Sequence, residues 1–199
     1  LAPLVPRFYL AGGTGLALRL GHRISIDLDF FSRENALGES ERIPILEALA
    51  ASGKLEIEDN KDGACHFILE GTRISLLRYP YPLLAVGDKW GGISVASARD
   101  IAAMKIAAIM GRGSKKDFVD LHQICLEFTL EDVLRSAANK YSSHRDFLLE
   151  AARALVYFED AEKEPMPRLL KKISWEKVKA FFEKEVPLLV ARLVRAEGA

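Results

Sequence analysis

The stretch that decides the fold is residues 10–31, which read LAGGTGLALRLGHRISIDLDFF. It begins with a Gly-Gly-Thr triplet at residues 12–14 and ends with two aspartates, Asp27 and Asp29, set among isoleucine, leucine and phenylalanine. From residue 23 to residue 31 apolar and polar side chains alternate, which is the two-residue period of a β-strand. The pattern therefore predicts a strand at residues 23–31 that carries both aspartates on one face.

This pair of aspartates has the chemistry of a metal site. Side chains two residues apart in a strand project from the same face, so Asp27 and Asp29 can converge on one cation or bridge two. Mg²⁺ is commonly held by one or two carboxylates together with substrate phosphates. The glycines upstream let backbone N–H groups approach a phosphate closely, and His22 and Arg23 could also contact a phosphate. A solvated strand face is the alternative. The apolar neighbours argue against it, because they predict a buried strand where unpaired carboxylates are costly.

The composition sets the class of protein. The chain has 199 residues, with 28 Lys and Arg, 28 Asp and Glu, and 49% hydrophobic residues. Zero net charge excludes a strongly polybasic nucleic-acid binder, and the apolar content excludes a disordered acidic tail. Cys65 and Cys125 are too few for a disulfide scaffold and sit in apolar patterns, so we expect buried free thiols.

We expect neither a membrane segment nor a signal peptide. The apolar runs are shorter than the roughly 20 residues that span a bilayer. Residues 1–6 lack the basic start and the long apolar stretch of a signal peptide. The sequence therefore predicts a soluble, cytoplasmic protein that does not contact a membrane.

The periodicity changes half-way along the chain. The first half predicts a short helix at residues 43–51 and strands at residues 54–59, 65–70 and 73–79, the last two forming a hairpin. The second half predicts helices at residues 98–110, 115–127, 130–140 (capped by Thr129) and 144–160, and a long helix after Ser174 that Pro187 kinks or restarts. We expect an α+β (mixed α/β) fold. A small mixed-sheet core would occupy residues 1–92 and a helical domain residues 93–199.

Charged residues in the second half form another group of candidates. Lys105 lies in the apolar stretch at residues 101–109, where it either extends its ammonium group to water or reaches a phosphate. Asp117 and Asp120 are three residues apart and share one helix face. The helix dipole accounts for an acid in the first turn at Asp117 but not for Asp120. The same dipole disfavours lysines at a helix start. Lys115 and Lys116 therefore suggest a phosphate partner, with an exposed surface pair as the alternative.

In this order, the motifs resemble the AbiEii/AbiGii toxin family of nucleotidyltransferases, which is related to the MenT toxins and has the DNA-polymerase-β-like fold. The resemblance rests on residues 10–23, Ser25 and residues 27–31, followed by Lys105 and residues 116–121. It covers about residues 9–124. The remaining helices match only as a helical region of suitable length.

The resemblance implies a role for each matched residue. The phosphates of an NTP would be bound by Gly12, Gly13, Thr14, Ser25, Lys105 and Lys116. Asp27 and Asp29 would bind Mg²⁺ or Mn²⁺, and with Asp117 and Asp120 would form the catalytic set. The implied reaction moves a nucleoside monophosphate from an NTP to an acceptor hydroxyl and releases pyrophosphate. In related toxins the acceptor is a tRNA 3′ end, and a cognate antitoxin protein opposes the activity. The helical domain would complete the nucleotide site.

The distribution of charge agrees with these implied ligands. Residues 24–62 hold ten acidic and four basic residues, whereas residues 163–179 hold six basic and two acidic residues. An acidic metal-binding strand and basic helical segments suit a metal–nucleotide complex and an RNA acceptor.

One departure from the pattern of the fold distinguishes this chain. Many polymerase-β-like enzymes carry a third carboxylate on a later strand, where it helps to activate the attacking hydroxyl. The strand predicted at residues 73–79 has no acid, and Glu70 precedes it across a turn. Asp117 or Asp120 would then serve as the base. Alternatively, the chain would be a catalytically weak or inactive module that binds a nucleotide or an antitoxin, or a purely structural interaction domain.

Overall fold

The computed structural model describes residues 7–197, and side chains from residue 7 to residue 192. The described chain forms two compact units. The first consists of residues 7–19 and 25–97, and the second of residues 20–24 together with those from 98 onward. Residues 1–6, the segment in which a signal peptide was not expected, lie outside the described part. The mixed α/β class that the sequence predicts is confirmed.

The first unit contains a mixed sheet. Its elements are β1 (Tyr9–Leu10), α1 (Gly12–Leu20), β2 (Leu28–Ser32), α2 (Glu39–Ser52), β3 (Leu55–Lys61), β4 (Ala64–Leu69), β5 (Thr72–Arg78), β6 (Asp88–Trp90) and β7 (Ile93–Val95). Across the sheet, the seven strands of the described chain follow the order β3-β4-β5-β2-β1-β7-β6. The pairs β2–β5 and β1–β7 are parallel, and the other neighbours are antiparallel.

One face of this sheet carries the core of the first unit. Phe30 of β2, Phe67 of β4 and Leu76 of β5 are buried and belong to one cluster with Leu49 of α2. Successive side chains of a strand project to opposite faces. The opposite face of the same three strands therefore carries Asp29, His66 and Ser75.

The strand that carries the aspartates is shorter than the alternation predicts. It begins at Leu28 rather than at residue 23, so Asp29 lies in β2 and Asp27 precedes it. The earlier residues do not join the sheet, because Ile24 donates its backbone N–H to the carbonyl of Arg168 within the second unit. Ile26 is 74% exposed. The prediction of a buried strand is therefore wrong at this end.

Strands β3, β4 and β5 agree with the sequence pattern, whereas strand β1 and helix α1 were not predicted. The hairpin of β6 and β7 was not predicted. Its turn is formed by Gly91 and Gly92, with φ of +52° and +80°, and positive φ at both residues is the mark of a type I′ turn. Helix α2 begins at Glu39 rather than at residue 43, so Pro44 lies inside the helix and not in its first turn.

The second unit is helical. Its helices are α3 (Ala98–Arg112), α4 (Lys115–Ile124), α5 (Leu130–Lys140), α6 (Phe147–Ala154), α7 (Glu159–Glu162) and α8 (Trp175–Glu197). Thr129 caps α5 as predicted, accepting the N–H of Asp132 at 3.1 Å. The single helix predicted at residues 144–160 is wrong, because α6 ends and α7 begins inside that range. Helix α8 continues through Pro187 instead of restarting there.

The two cysteines are free thiols. Cys65 is buried, as predicted, and Cys125 is partly buried. Burial raises the pKa of both thiols, that of Cys125 to about 12, so neither is a reactive thiolate at neutral pH. Among the helices of residues 7–197, none is long and apolar enough to cross a membrane.

Candidate functional site

The Gly-Gly-Thr triplet lies where a strand gives way to a helix. Strand β1 ends at Leu10, and α1 begins at Gly12. Gly12 has φ of +63°, and a Cβ atom there would lie 2.9 Å from Oδ2 of Asp29. Glycine is the residue that tolerates both this conformation and so close an approach. The N–H groups of residues 12–14 precede the first intrahelical hydrogen bond of α1, and such groups commonly bind anions.

A second contact joins the triplet to the other aspartate. Thr14 donates its hydroxyl proton to the carbonyl oxygen of Asp27 at 2.5 Å. The structure thus brings both ends of the triplet against Asp27 and Asp29 within the first unit. Gly13 lies between those ends in the first turn of α1. Ser25 lies two residues before Asp27, and its side chain is partly buried.

Both aspartate side chains are half-buried. Within residues 7–192, neither carboxylate forms an ion pair or accepts a hydrogen bond from a side chain. No group of three or more His, Cys, Asp or Glu that could hold a metal occurs in this range. Two carboxylates without an ion pair fit Mg²⁺, because this ion usually takes one or two carboxylates and completes its shell with water and substrate phosphates.

The strand beside the aspartates carries a serine where a third acid would be sought. Strands β2 and β5 pair in parallel, with Asp29 opposite Ser75. Ser75 is 7% exposed, and its Oγ lies 3.0 Å from Nδ1 of His66 on β4. Strand β5 has no acidic residue, as the sequence indicates.

Asp120 is the centre of a buried charge network in the second unit. Arg23 binds it with two N–H groups, from Nε to Oδ1 at 2.6 Å and from Nη2 to Oδ2 at 2.8 Å. Nε2 of His22 lies 2.7 Å from Oδ1, and Nζ of Lys105 lies 2.6 Å from Oδ2. A carboxylate has about four acceptor positions, so this one is saturated. An ionised carboxylate only accepts, and Nε2 of His22 therefore carries the proton.

Asp117 holds the same lysine from the other side. Nζ of Lys105 lies 2.7 Å from Oδ1 of Asp117. Arg112 donates to Asp117 from Nε to Oδ2 at 2.8 Å and from Nη2 to Oδ1 at 3.2 Å. Lys105 is 4% exposed. Its ammonium group therefore bridges two carboxylates and does not extend to water.

These contacts fix the ionisation of both acids. Burial by itself raises the pKa of each carboxyl, but the hydrogen bonds and charges of the neighbouring cations outweigh it. Arg23, Lys105 and His22 hold the pKa of Asp120 well below its usual range. Lys105 and Arg112 likewise lower the pKa of Asp117. Both aspartates are therefore ionised at neutral pH.

The motifs and their order are those of a toxin family. The model of the family described as "Nucleotidyl transferase AbiEii toxin, Type IV TA system" matches residues 1–195. The chain belongs to this family. The resemblance expected from the sequence is thereby confirmed, and the protein is a nucleotidyltransferase of a toxin family.

A relative and two solved structures are similar to this AbiEii chain. An uncharacterized protein of Aquifex aeolicus (strain VF5) is 37% identical over 183 residues, which cover 90% of this chain and 86% of that protein. Among solved structures, MenT4, a nucleotidyltransferase toxin of Mycobacterium tuberculosis H37Rv, is similar with a TM-score of 0.59 and 17% identity, over 92% of this chain and 75% of that one. JHP933 of Helicobacter pylori is similar with a TM-score of 0.55 and 17% identity, over 96% and 87% of the two chains. At these identities the two structures show the fold.

The two lysines at the start of α4 differ in this AbiEii chain. Lys116 is exposed, whereas Lys115 is buried, with Nζ 5.1 Å from the ring centre of Trp175. Such a position is a cation–π contact. The carboxylate of Glu164 accepts the hydroxyl proton of Ser114 at 2.7 Å and the N–H of Lys115 at 2.9 Å. This acid offsets the positive end of the helix, and the alternative of an exposed surface pair does not hold for Lys115, which is buried.

The AbiEii sequence did not point to every member of these clusters. The structure places His22 and Arg23 against Asp120, whereas the sequence predicted for these two residues only a contact with a phosphate. Arg112 and Glu164 had no predicted role. Their partners lie in other helices, so no fixed spacing in the sequence marks the pairing. The sequence signal that could have drawn attention to His22 and Arg23 is their position within residues 10–31.

Proposed function

We propose that this AbiEii-family protein transfers a nucleoside monophosphate from an NTP to a hydroxyl at the 3′ end of an RNA, with Mg²⁺ or Mn²⁺ as cofactor. A tRNA is the acceptor that the family resemblance implies. We place the activity in the cytoplasm, where a cognate antitoxin opposes it. The observation that carries the proposal is the contact of the Gly-Gly-Thr triplet with two aspartates whose carboxylates form no ion pair with a described side chain.

Asp27 and Asp29 are the metal ligands in this proposal. Two carboxylates close together repel each other, and a divalent cation relieves that repulsion. When bound, the metal would offset the charge that develops on the phosphate oxygens during transfer. The N–H groups of Gly12, Gly13 and Thr14 would donate to the triphosphate, and the hydroxyl of Ser25 would add a further donor.

The proposed reaction is an in-line displacement at phosphorus. The oxygen of the acceptor hydroxyl forms a bond to the α-phosphorus, and the bond from that phosphorus to the bridging oxygen breaks. Pyrophosphate leaves with the bonding electrons. The acceptor loses one proton, so the reaction needs a group that removes it.

Lys105 has one donor left for a phosphate. An ammonium group has three N–H bonds, and two of them point to Asp117 and Asp120. We propose that the third donates to a phosphate oxygen, with the two aspartates fixing the direction of the group. Lys116 is exposed and supplies a second phosphate contact in this proposal.

The two acids of α4 differ in their capacity to contact a bound substrate. Asp120 receives four donors, whereas Asp117 receives three and keeps one acceptor position. We therefore propose Asp117 as the catalytic member of this pair. Asp120 would contribute to catalysis through the groups that it holds.

A catalytically weak or inactive module that binds a nucleotide or an antitoxin is the second candidate. The observation that favours it is the absence of an acid on β5. In that strand Ser75, and not a third carboxylate, lies opposite Asp29 of β2. Such a module would bind an NTP without turning it over.

Transfer of label from radioactive NTPs to total tRNA, with Mg²⁺ present, tests the proposal. We expect transfer by the wild-type protein and a loss of about 100-fold or more in Asp29→Asn, because a charged metal ligand is removed. Asp88→Asn is the matched control, since this exposed acid in the same unit pairs with Arg19. If no NTP yields transfer but calorimetry detects binding of NTP and Mg²⁺, the second candidate holds instead.

A further inference from the structure

Three neighbouring strands align polar side chains on the face of the sheet that carries Asp29. In the register of the sheet, Asp29 of β2 lies opposite Ser75 of β5, and Ser75 lies opposite His66 of β4. Residues in register project from the same side of a sheet. The row continues to Asp59 of β3, which lies opposite His66. The core residues of these strands occupy the other face.

We propose that Ser75, backed by His66, takes the place of the absent third carboxylate and removes the proton of the acceptor hydroxyl. The inference rests on the proposed function, because it assigns a residue to the transfer reaction. Its first support is position: neighbouring strands lie about 4.8 Å apart, so Ser75 is adjacent to a proposed metal ligand. An acceptor hydroxyl held beside that metal would lie within reach of the hydroxyl of Ser75.

The second support is the hydrogen bond between the buried serine hydroxyl and the imidazole. Ser75 is 7% exposed, and its Oγ lies 3.0 Å from Nδ1 of His66. The role requires that Nε2 of His66 carry the imidazole proton, so that Nδ1 accepts from Ser75. Because Ser75 donates its proton to the half-buried imidazole, the lone pairs of its Oγ are free to accept a hydrogen bond from the acceptor hydroxyl.

The proton transfer balances. As the acceptor oxygen forms its bond to the α-phosphorus, its proton passes to Oγ of Ser75. The proton originally on Oγ passes to Nδ1 of His66, so Ser75 remains neutral and an imidazolium forms. Pyrophosphate leaves with the electrons of the broken bond, and the imidazolium later returns its proton to water. The carboxylate of Asp59, opposite His66 and 2.8 Å from Nζ of Lys61, lies on the side where positive charge develops.

Kinetics of four variants test the relay. We expect Ser75→Ala and His66→Gln each to lower kcat about 100-fold, the lower range for loss of general-base catalysis. Binding of the NTP, measured by calorimetry, should change by less than about twofold, because neither residue contacts the triphosphate. Ser75→Asp would install a carboxylate at the base position and keep turnover. In the double variant Ser75→Asp with His66→Gln, kcat should return to within about tenfold of wild type, because the carboxylate no longer needs the imidazole.

A spectroscopic measurement reports on the hydrogen bond without turnover. In ¹⁵N NMR spectra, Nδ1 of His66 should be unprotonated, and its shift should change in Ser75→Ala. His144→Gln is the control for both assays, since this exposed imidazole pairs with Glu150 in the second unit. A protonated Nδ1 would overturn the relay.

The remaining outcomes separate this inference from the proposed function. Full turnover by His66→Gln, or a double variant no better than His66→Gln, overturns the relay and keeps the transfer reaction. An inactive wild type with an active Ser75→Asp also overturns the relay, since a carboxylate alone then supplies the missing base. If neither protein transfers label, the proposed function and the relay both fail. If Ser75→Asp does not fold, the Ser75→Ala and His66→Gln rates still decide the matter.

Discussion

Replacement of Asp120 by asparagine is expected to destabilise the protein by about 3–5 kcal/mol, the loss typical when one partner of a buried ion pair is removed. Asparagine keeps the shape of the side chain but removes its charge. Arg23, whose side chain is 5% exposed, then lacks its buried counter-charge. Lys105 keeps its contact with Asp117, so we expect a loss within this range and not above it.

Urea unfolding at pH 7, followed by circular dichroism, measures the effect. In a chain of this size, 1 kcal/mol shifts the melting temperature by about 2–4 °C, so Asp120→Asn should melt about 6–20 °C lower. Glu131→Gln is the matched control, because its ion pairs with Arg135 and Arg192 lie at the surface. Surface pairs contribute little, so its unfolding midpoint should equal that of wild type within error.

A second substitution distinguishes loss of a charge pair from loss of packing. Arg23→Met combined with Asp120→Leu removes both partners and fills their volume with apolar atoms. Replacing a buried pair in this way is often neutral, so the double variant should be more stable than Asp120→Asn. If Asp120→Asn instead unfolds within about 1 kcal/mol of wild type, the assigned strength of the network is wrong.

The remaining predictions concern acid stability, metal, backbone and acceptor. Asp120 has a lowered pKa in the folded state, so its stabilisation is present above the unfolded value of about 4 and is lost as pH falls below it; acid titration of the unfolding free energy should be shallower in Asp120→Asn. Asp29→Asn should abolish Mg²⁺-dependent NTP binding in calorimetry without lowering the melting temperature of the ligand-free protein, because it removes repulsion between carboxylates. Gly12→Ala should reduce the free energy of unfolding by about 1–2 kcal/mol, because its φ is positive and its Cβ would approach Asp29. Lys171→Glu with Lys172→Glu should weaken RNA binding and flatten its salt dependence while NTP binding is retained.

Controls for these predictions come from the same chain. Gly111→Ala has open space around the new Cβ and lies in α3, so it should not destabilise the protein. Lys184→Glu changes a lysine of α8 that pairs with Glu185, and it should not affect RNA binding. Equal loss of RNA binding in Lys184→Glu and in the Lys171 and Lys172 variant would refute a localised RNA surface.

The sequence could predict elements whose periodicity extends over several turns or strand repeats. Strands β3, β4 and β5 and the cap at Thr129 follow from alternation and helix-start signals, and the structure contains them. Strands β1, β6 and β7 have two or three residues each. So few residues cannot display a period, although two consecutive glycines at 91 and 92 were a turn signal.

The candidate site was predictable where its residues are close in the chain. The triplet and the two aspartates lie within one quoted stretch, and their contact in the first unit follows from one short connection. The partners of Asp120 could not be predicted in this way. Arg23 lies 97 residues away in sequence, and pairing over that distance depends on how the helices pack. The start of β2 depended on the same packing, because Ile24 pairs with Arg168 and not with the sheet.

The assignment of residues 20–24 to the second unit restricts how this family can recombine. Residues on either side of that segment belong to the first unit, so the chain crosses between units three times. A gene fragment that begins at Ala98 would encode Asp120 without His22 and Arg23, which supply three of its four donors. If homologues exchanged the helical half, residues 20–24, which lie in the sequence of the other half, would therefore have to be exchanged with it or be compatible with it. We therefore expect the two halves to function only when they come from the same chain.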